Sequence, residues 1–531
     1  MAVTAPGTTA TEPSKRRRAW RPWLLRLVLA GASGFVFYLS FAPRPLWWLA
    51  PLAFAGLGFA LRGRRFWGGL GYGSAFGLGL YLPLLTWLQD FLGADFGPAP
   101  WVALSAALAA YLGLGAALCT VVARLPGAPV WMALVIIATE TPRQWWPFGG
   151  FPWGRVAFSQ PEGAFLPLAS VGGAPLVGFA VVLTGFGLTA LLVRLRRREW
   201  RPLLAPAAAA LVPVVAGLAL WPTIGTGPQD GSRVVATVQG NAPNVGLELM
   251  NESAALRANH LAQAGRLAEE IAAGAVPRPD LVVWPESTFQ LVGDDPAIDA
   301  AVARIGAPAL IGALTFTGGD THPYNTEIVW DPKTGPGERY AKQQLVPFGE
   351  YIPARAIAQW FTPFVTDTYD MHAGTKPAVL DAAGIRLATP VCYEIAYDYI
   401  SRQAVEDGAQ LIVLPTNNAW YGQSEMSYQQ LAMARLRAVE HSRAVVVSAT
   451  SGVSAIVQPD GTIMQSTSEF TAASLVGRVP LRDTTTLSDR LGAWTEYVLV
   501  GAALVAVAAG FVRLRRTRRA SAKDTRETVA G

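Results

Sequence analysis

Three side chains of this sequence stand where covalent chemistry would need them. Cys392 closes the apolar run Ala388-Thr389-Pro390-Val391 and opens Tyr393-Glu394; the chain has 2 cysteines, and the other, Cys119, lies inside a hydrophobic segment. A thiol with an ordinary pKa of about 8.5 is mostly protonated at neutral pH, so a nucleophilic cysteine needs a base or a nearby cation. Glu286, just after Leu281-Val282-Val283-Trp284-Pro285, can take the proton. Lys342, in Tyr340-Ala341-Lys342, can stabilise both a thiolate and the oxyanion of a tetrahedral intermediate. Glu350, inside Leu345-Val346-Pro347-Phe348-Gly349-Glu350-Tyr351-Ile352-Pro353, can orient Lys342 or assist proton transfer. A lone cysteine is usually a small core residue and a lone charge usually a solvated one. Three such groups following strand-like runs in one region form a coherent set, because strand ends on one sheet edge meet in space.

The elements that must position them are short β-branched runs: Val234–Val238, Leu281–Trp284, Ala309–Ala313, Thr326–Trp330, Ile385–Val391, Leu411–Leu414, Ala444–Ala449 and Ala455–Gln458. The turn Gln458-Pro459-Asp460-Gly461 leads to another short strand. Leu247–Ala273 has helical spacing. Strands with helices between them predict an α/β domain with covered sheets, here over residues 223–490.

The flanks are different. Hydrophobic residues make up 51% of the chain and crowd before Pro222 and after Arg490. Runs at 23–41, 45–61, 67–89, 98–123, 129–141, 174–193, 203–222 and 491–512 are expected to cross the roughly 30 Å of a bilayer's hydrocarbon. That makes seven spans in a membrane domain at 21–222 and an eighth at 491–512. The polar, basic segment 1–20 precedes a run too long for a signal peptide, so the first helix is expected to be retained. Basic residues alternate between loops: Arg62, Arg64 and Arg65, then Arg124, then Arg194 to Arg201, then Arg513 to Arg519, with Asp90 and Asp95 on the opposite side. This predicts both termini inside, 223–490 outside, and a basic, disordered cytoplasmic tail at 513–531. The short run 129–141 is retained because the alternation requires it. The net charge of +6 therefore belongs to membrane flanks, and no nucleic-acid partner is expected.

Gly69, Gly73 and Gly77 recur every fourth residue, which suits close helix contact. Trp145-Trp146-Pro147-Phe148 and Phe151-Pro152-Trp153 either anchor at headgroup level or line a lipid entrance. His260, His322, His372 and His441 fall in no metal-ligand spacing, so no metal is expected. No intramolecular disulfide is expected either.

Through Trp284-Pro285-Glu286, Lys342 and Cys392 the soluble part resembles the nitrilase superfamily. With eight spans around it, the stretch from Arg21 to Arg513 is similar to the membrane-embedded branch of that superfamily, the apolipoprotein N-acyltransferases. Val238-Gln239-Gly240-Asn241, Leu345–Pro353, Cys392-Tyr393-Glu394 and Asn417-Asn418-Ala419-Trp420-Tyr421-Gly422 carry that resemblance most specifically. It implies an αββα sandwich inserted into a multi-pass helical membrane domain. It also implies Glu286 as general base, Lys342 as oxyanion stabiliser and Cys392 as nucleophile, with Glu350, Tyr393 and Glu394 in support and no cofactor. The implied substrates are a phospholipid acyl donor and a diacylglyceryl apolipoprotein, met by a monomer on the outer face of a bacterial cytoplasmic membrane. Two departures concern the loops rather than the triad: Asn244–Met250 lacks the usual Lys-Trp, and Asn418 replaces the usual Asp. The alternatives are a membrane-anchored amidase using water as acceptor, and a transporter or receptor with an external domain. Glu140, near a helix end, is the one acidic residue that fits the latter.

Overall fold

The computed structural model describes residues 21–93, 96–200, 203–246, 249, 252–359 and 369–530. The 1–20 segment, Asp95 and Arg201, which entered the topology expectation, lie outside the described residues.

The first part is helical: α1 (Arg21–Tyr38), α2 (Leu49–Leu61), α3 (Phe66–Leu84), α4 (Trp87–Leu92), α5 (Ala99–Val122), α6 (Ala128–Ala138), α7 (Glu140–Arg143), α8 (Ala169–Arg196) and α9 (Leu204–Leu220). By length and composition, 4 helices among the described residues can cross a membrane: Ala99–Val122, Leu166–Arg196, Leu204–Thr223 and Trp494–Thr517. This corrects the expectation of eight. The run 45–61 opens in turns, and the 13 residues of α2 rise only about 20 Å. The 11 residues of α6 stop at Ala138, just before Glu140. In α3, glycines at 68, 69, 71, 73, 77 and 79 dilute the apolar character, and the helix ends at Leu84 rather than continuing to 89.

The glycine repeat works as expected, bringing α3 onto α5. A Cβ at Gly73 would lie 2.3 Å from the Ala116 side chain, and one at Gly77 2.6 Å from the Ala109 backbone. The backbones are therefore closer than any side chain at these positions would allow.

The α/β part comprises β1 (Ser232–Gln239), β2 (Leu281–Val283), β3 (Phe289–Leu291), β4 (Ala309–Thr315), β5 (Tyr324–Asp331), β6 (Gly335–Ala341), β7 (Val379–Ala382), β8 (Ile385–Ala388), β9 (Leu411–Thr416), β10 (Val445–Ala449), β11 (Ala455–Val457), β12 (Ile463–Ser466) and β13 (Ala473–Pro480). One sheet runs β13-β1-β2-β4-β5-β6 with β3 paired to β4; the other runs β12-β11-β10-β9-β8-β7. Helices Ser253–Ala272 and Pro296–Ile305 cover the first, and Asp398–Glu406 and Met426–His441 the second, giving four αββα layers. Ser448 Oγ donates to the Val283 carbonyl at 3.0 Å, stitching the two sheets together.

β3, β6, β7 and β13 were not expected. β6 reads Gly-Pro-Gly-Glu-Arg and lies at a sheet edge, where residues 338 and 339 are exposed and no hydrophobic alternation is needed. Met426–His441 was also missed, because Gln429, Gln430, Arg437, Glu440 and His441 are buried and face partners rather than water. The tail expected to be disordered continues the last helix, Trp494–Ala530. Its Ala, Arg, Lys and Glu residues are strong helix formers.

The two parts share one core and a buried ionic joint. Arg155, from the segment before α8, donates to Asp398 Oδ1 at 2.7 Å, and Arg437 donates to the same oxygen at 2.6 Å. Arg437 also pairs with Glu440. Burial alone would raise the Asp398 pKa, but the two guanidinium groups outweigh it and hold the carboxylate ionised. Glu140 sits 3.6 Å from Arg155 and accepts from the Val156 amide at 2.8 Å. It is thus a member of this joint, not a charge lining a path.

Candidate active site

Parallel strands share an edge, and this architecture uses it. β2, β4 and β6 run in one direction, as do β8 and β9, so residues just past the C-terminal ends of β2, β6, β8 and β9 converge. Those residues are Glu286, Lys342, Cys392 and Asn417.

Lys342 is buried and its Nζ donates to Glu286 Oε1 and Glu350 Oε1, each at 2.9 Å. Burial opposes its charge, but the two carboxylates overcome this and raise its pKa well above the ordinary lysine value, so it stays a cation. The Asn325 amide donates to the same two oxygens, at 2.7 Å and 2.8 Å. Glu286 Oε2 accepts from the Asn417 amide N–H at 2.9 Å, and Glu350 Oε2 from that of Val346 at 2.8 Å. Of the two roles left open for Glu350, the contacts describe the first: it holds Lys342.

Cys392 has φ +51°, in the left-handed region that non-glycine residues rarely adopt, and it opens the 3-10 turn Cys392–Ala396. Such a conformation costs on the order of 1–3 kcal/mol and persists only where the surroundings enforce it. The enforcing group is Glu394. Its carboxylate accepts from the Val391 amide at 2.8 Å, from the Gln343 and Gln344 amides at 2.7 and 3.0 Å, and from the Tyr340 hydroxyl at 2.9 Å. One buried side chain thereby ties the cysteine's turn to the segment that follows Lys342. Burial raises the Glu394 pKa to about 7 despite these amides.

The thiol is pushed up to about 12, chiefly by burial and next by the Glu286 charge, with Lys342 pulling the other way. The resting thiol is therefore protonated. Gln430 Nε2 points at its Sγ from 3.5 Å. Gln430 Oε1 in turn accepts from Thr416 Oγ1 at 3.0 Å and from the Asn418 amide at 2.9 Å. Thr416 and Asn418 together thus set the direction of the Gln430 amide.

Tyr393 points away from the triad. Its hydroxyl donates to the Gly150 carbonyl at 3.1 Å and its ring stacks on Trp153, 6.4 Å between centroids. Trp153 is buried and donates to Gln429 at 2.7 Å. The second aromatic cluster is therefore an interdomain joint, while Trp145, Trp146 and Phe148 remain exposed.

Glu286, Lys342, Glu350, Cys392 and Asn417 lie at the polar end of a cavity of about 140 Å³ whose other walls include Phe91, Leu256, Leu314, Val346, Phe348, Met371, Trp420 and Tyr421. That volume matches a cavity that holds a benzene-sized solute.

Residues 33–187 match the family model of the apolipoprotein N-acyltransferase N-terminal domain, and residues 235–488 that of carbon-nitrogen hydrolases. An apolipoprotein N-acyltransferase of Mycolicibacterium smegmatis is 39% identical over 91% of this chain and 85% of its own length. The chain belongs to the apolipoprotein N-acyltransferase family. Relatives with the same name from Azotobacter vinelandii and Chromobacterium violaceum are 32% and 31% identical, over 93% and 92% of this chain and 96% and 95% of theirs. The carbon-nitrogen hydrolase match accounts for the nitrilase-like sandwich, and the bundle carries the part of the family that soluble hydrolases lack.

Within the N-acyltransferase family frame, sequence reasoning missed Asn325, Gln430 and Glu327. Asn325 and Glu327 share one face of β5, and polar residues at alternate buried positions of a strand are the signal that marks them. Glu327 is fully buried, and neither carboxyl oxygen has a hydrogen-bond partner among the described residues. Burial first and the Glu286 charge second raise its pKa well above the ordinary value.

Proposed function

We propose that the chain moves a fatty acyl group from a membrane phospholipid, by way of Cys392, to the α-amino group of an S-diacylglyceryl-cysteine at a lipoprotein N-terminus. The observation that carries this is a buried thiol, cation and carboxylate at the polar end of an apolar cavity, in a chain of the N-acyltransferase family. In the first half-reaction Sγ attacks the ester carbonyl as Glu286 takes the thiol proton. The carbonyl electron pair moves onto oxygen, where Lys342 stabilises it. Collapse breaks the ester C–O bond, and the lysophospholipid leaves with the proton that Glu286 returns. In the second half-reaction the amine attacks the thioester, Glu286 accepts an N–H proton, and the C–S bond breaks to regenerate the thiol. A thiol held at about 12 makes this general-base route necessary, because the thiolate population at rest is small.

The helical bundle sits in a bacterial cytoplasmic membrane, with 223–490 on the outer face and both termini inside. Support comes from the four apolar helices and from the basic clusters Arg194–Arg198 and Arg513–Arg519, which follow the second and fourth of them on the inner side. One chain supplies the whole triad, which fits a monomer.

Intact-mass measurement after incubation with phospholipid alone tests the reading. A single acyl adduct is expected on the wild type and none on Cys392→Ala. An undiminished adduct on that variant, or steady release of free fatty acid with no amine present, would replace the proposal with another nucleophile or with hydrolysis.

A further inference from the structure

Asp320 and His322 lie between β4 and β5, and His372 lies far along the chain in the segment before β7. The fold brings the three together on the surface, which no sequence spacing indicated. Asp320 Oδ1 is 3.0 Å from His322 Nδ1 and Oδ2 is 2.8 Å from His372 Nε2. All three prospective ligand atoms lie within 4.8 Å of one another. The group is preorganised by contacts within and around it. The His372 amide donates to the Pro323 carbonyl at 3.0 Å, the His322 amide donates to Asp320 Oδ1 at 2.9 Å, and the Tyr324 ring packs on the His372 ring at 5.0 Å. Side-chain exposures of 39–44% leave room for a hydrated cation to enter and keep water in its remaining positions.

Two imidazoles and one carboxylate suit zinc and its neighbours, whereas calcium and magnesium prefer all-oxygen sets. We propose that Asp320, His322 and His372 bind a divalent cation of the zinc class, which clips the segment carrying His372 against the β4–β5 connection. The location gives the clip a consequence. Met371, next to His372, lines the cavity, and its amide donates to the Glu350 carbonyl at 2.7 Å. Gly374 donates to the Lys342 carbonyl at 2.7 Å. A cation here therefore stiffens a segment whose backbone is tied to both Lys342 and Glu350.

The test uses the full chain in detergent micelles and zinc as the probe. Calorimetric titration in the Cys392→Ala background, which removes the active-site thiol as a competing ligand, should show one saturable zinc site. X-ray absorption should report two imidazole nitrogens at about 2.0–2.1 Å. Asp320→Asn, His322→Ala and His372→Ala should each weaken binding at least about tenfold, with metal-free melting temperatures unchanged. Equal zinc binding by the His322→Ala/His372→Ala double variant, or no saturable site, would overturn the assignment. Where the double variant fails to fold, Asp320→Asn decides by the same criterion. The clip is tested through acyl-adduct formation, which rests on the proposed acyl transfer while the binding arm does not. Zinc should change the adduct rate of the native-cysteine chain at least twofold and leave that of the double variant unmoved; an equal response in both would overturn the clip.

Discussion

Replacing Lys342 by methionine separates two jobs that one ammonium performs. Nζ lies 2.9 Å from both Glu286 and Glu350, and its side chain is 1% exposed, so water cannot take over. Removing it leaves two buried carboxylates whose remaining donors are Asn325 and the amides of Val346 and Asn417. Breaking a buried pair from one side costs about 3–5 kcal/mol of stability. Loss of an oxyanion donor costs roughly 100–1000-fold in rate. Lys342→Met should therefore melt markedly earlier and form the Cys392 adduct at least about 100-fold more slowly. Lys342→Met/Glu350→Gln restores the original charge of the cluster and should recover most of the stability while the adduct rate stays low. The assays are thermal unfolding in micelles and time-resolved intact mass. Adduct formation by the single variant within about tenfold of wild type would refute Lys342 as oxyanion stabiliser. Recovery of the rate in the double variant would show that charge balance, not oxyanion contact, was lost.

Glu394 gives a pH prediction with a definite sign. Its folded pKa of about 7 exceeds the ordinary 4.5, so between these values the native state binds more protons than the unfolded state. Stability contributed by the protonated form is complete below about pH 4.5 and is lost as pH rises through 7, amounting to on the order of 3 kcal/mol. Glu394→Gln should flatten the stability profile over that window, and an unchanged slope in unfolding experiments would contradict the assignment. Gln430→Leu removes the donor facing Sγ and leaves the Thr416 hydroxyl and Asn418 amide without their acceptor. It should cost about 1–3 kcal/mol in stability and slow adduct formation about tenfold, read from the same mass-spectrometric time course; a rate equal to wild type would count against the Gln430–thiol contact.

The parts of the fold that were legible in the sequence are those where one local pattern settles the outcome. Ala309–Ala313 and Leu411–Leu414 are fully apolar, and Val234–Val238 apolar except for Thr237, because both faces of their strands are covered, and Gly69, Gly73 and Gly77 announce a close helix contact. Glu286, Lys342 and Cys392 stood out because strand-ending residues next to proline or aromatic turns are unusual places for reactive groups. The residues that hold them were harder to see. The Asn417 contribution to Glu286 is a backbone amide, which no side-chain pattern can reveal. Gln430 and Arg437 lie in a helix whose polar residues face inward, so its amphipathic signal is weak. The span count failed where hydropathy alone stood in for length, as in α2 and α6. The grouping of Asp320, His322 and His372 depends on a tertiary approach invisible to any spacing rule.

Tyr393 and Tyr397, from the Cys392 turn and the residue after it, are bonded to the carbonyls of Gly150 and Gly149 in the helical part. Part of what holds Cys392 thus belongs to a different module from the sandwich that carries it. Excising 223–490 would strip the turn of those acceptors and of Trp153, leaving a fragment that keeps Glu286, Lys342 and Cys392 but loses the support of the Cys392 turn. The same fixture sets the height of Sγ relative to the bundle. If Cys392 carries the acyl group as proposed, donor and acceptor must travel to a thiol that this fixture holds in place, and variation among substrates is absorbed at the cavity rim.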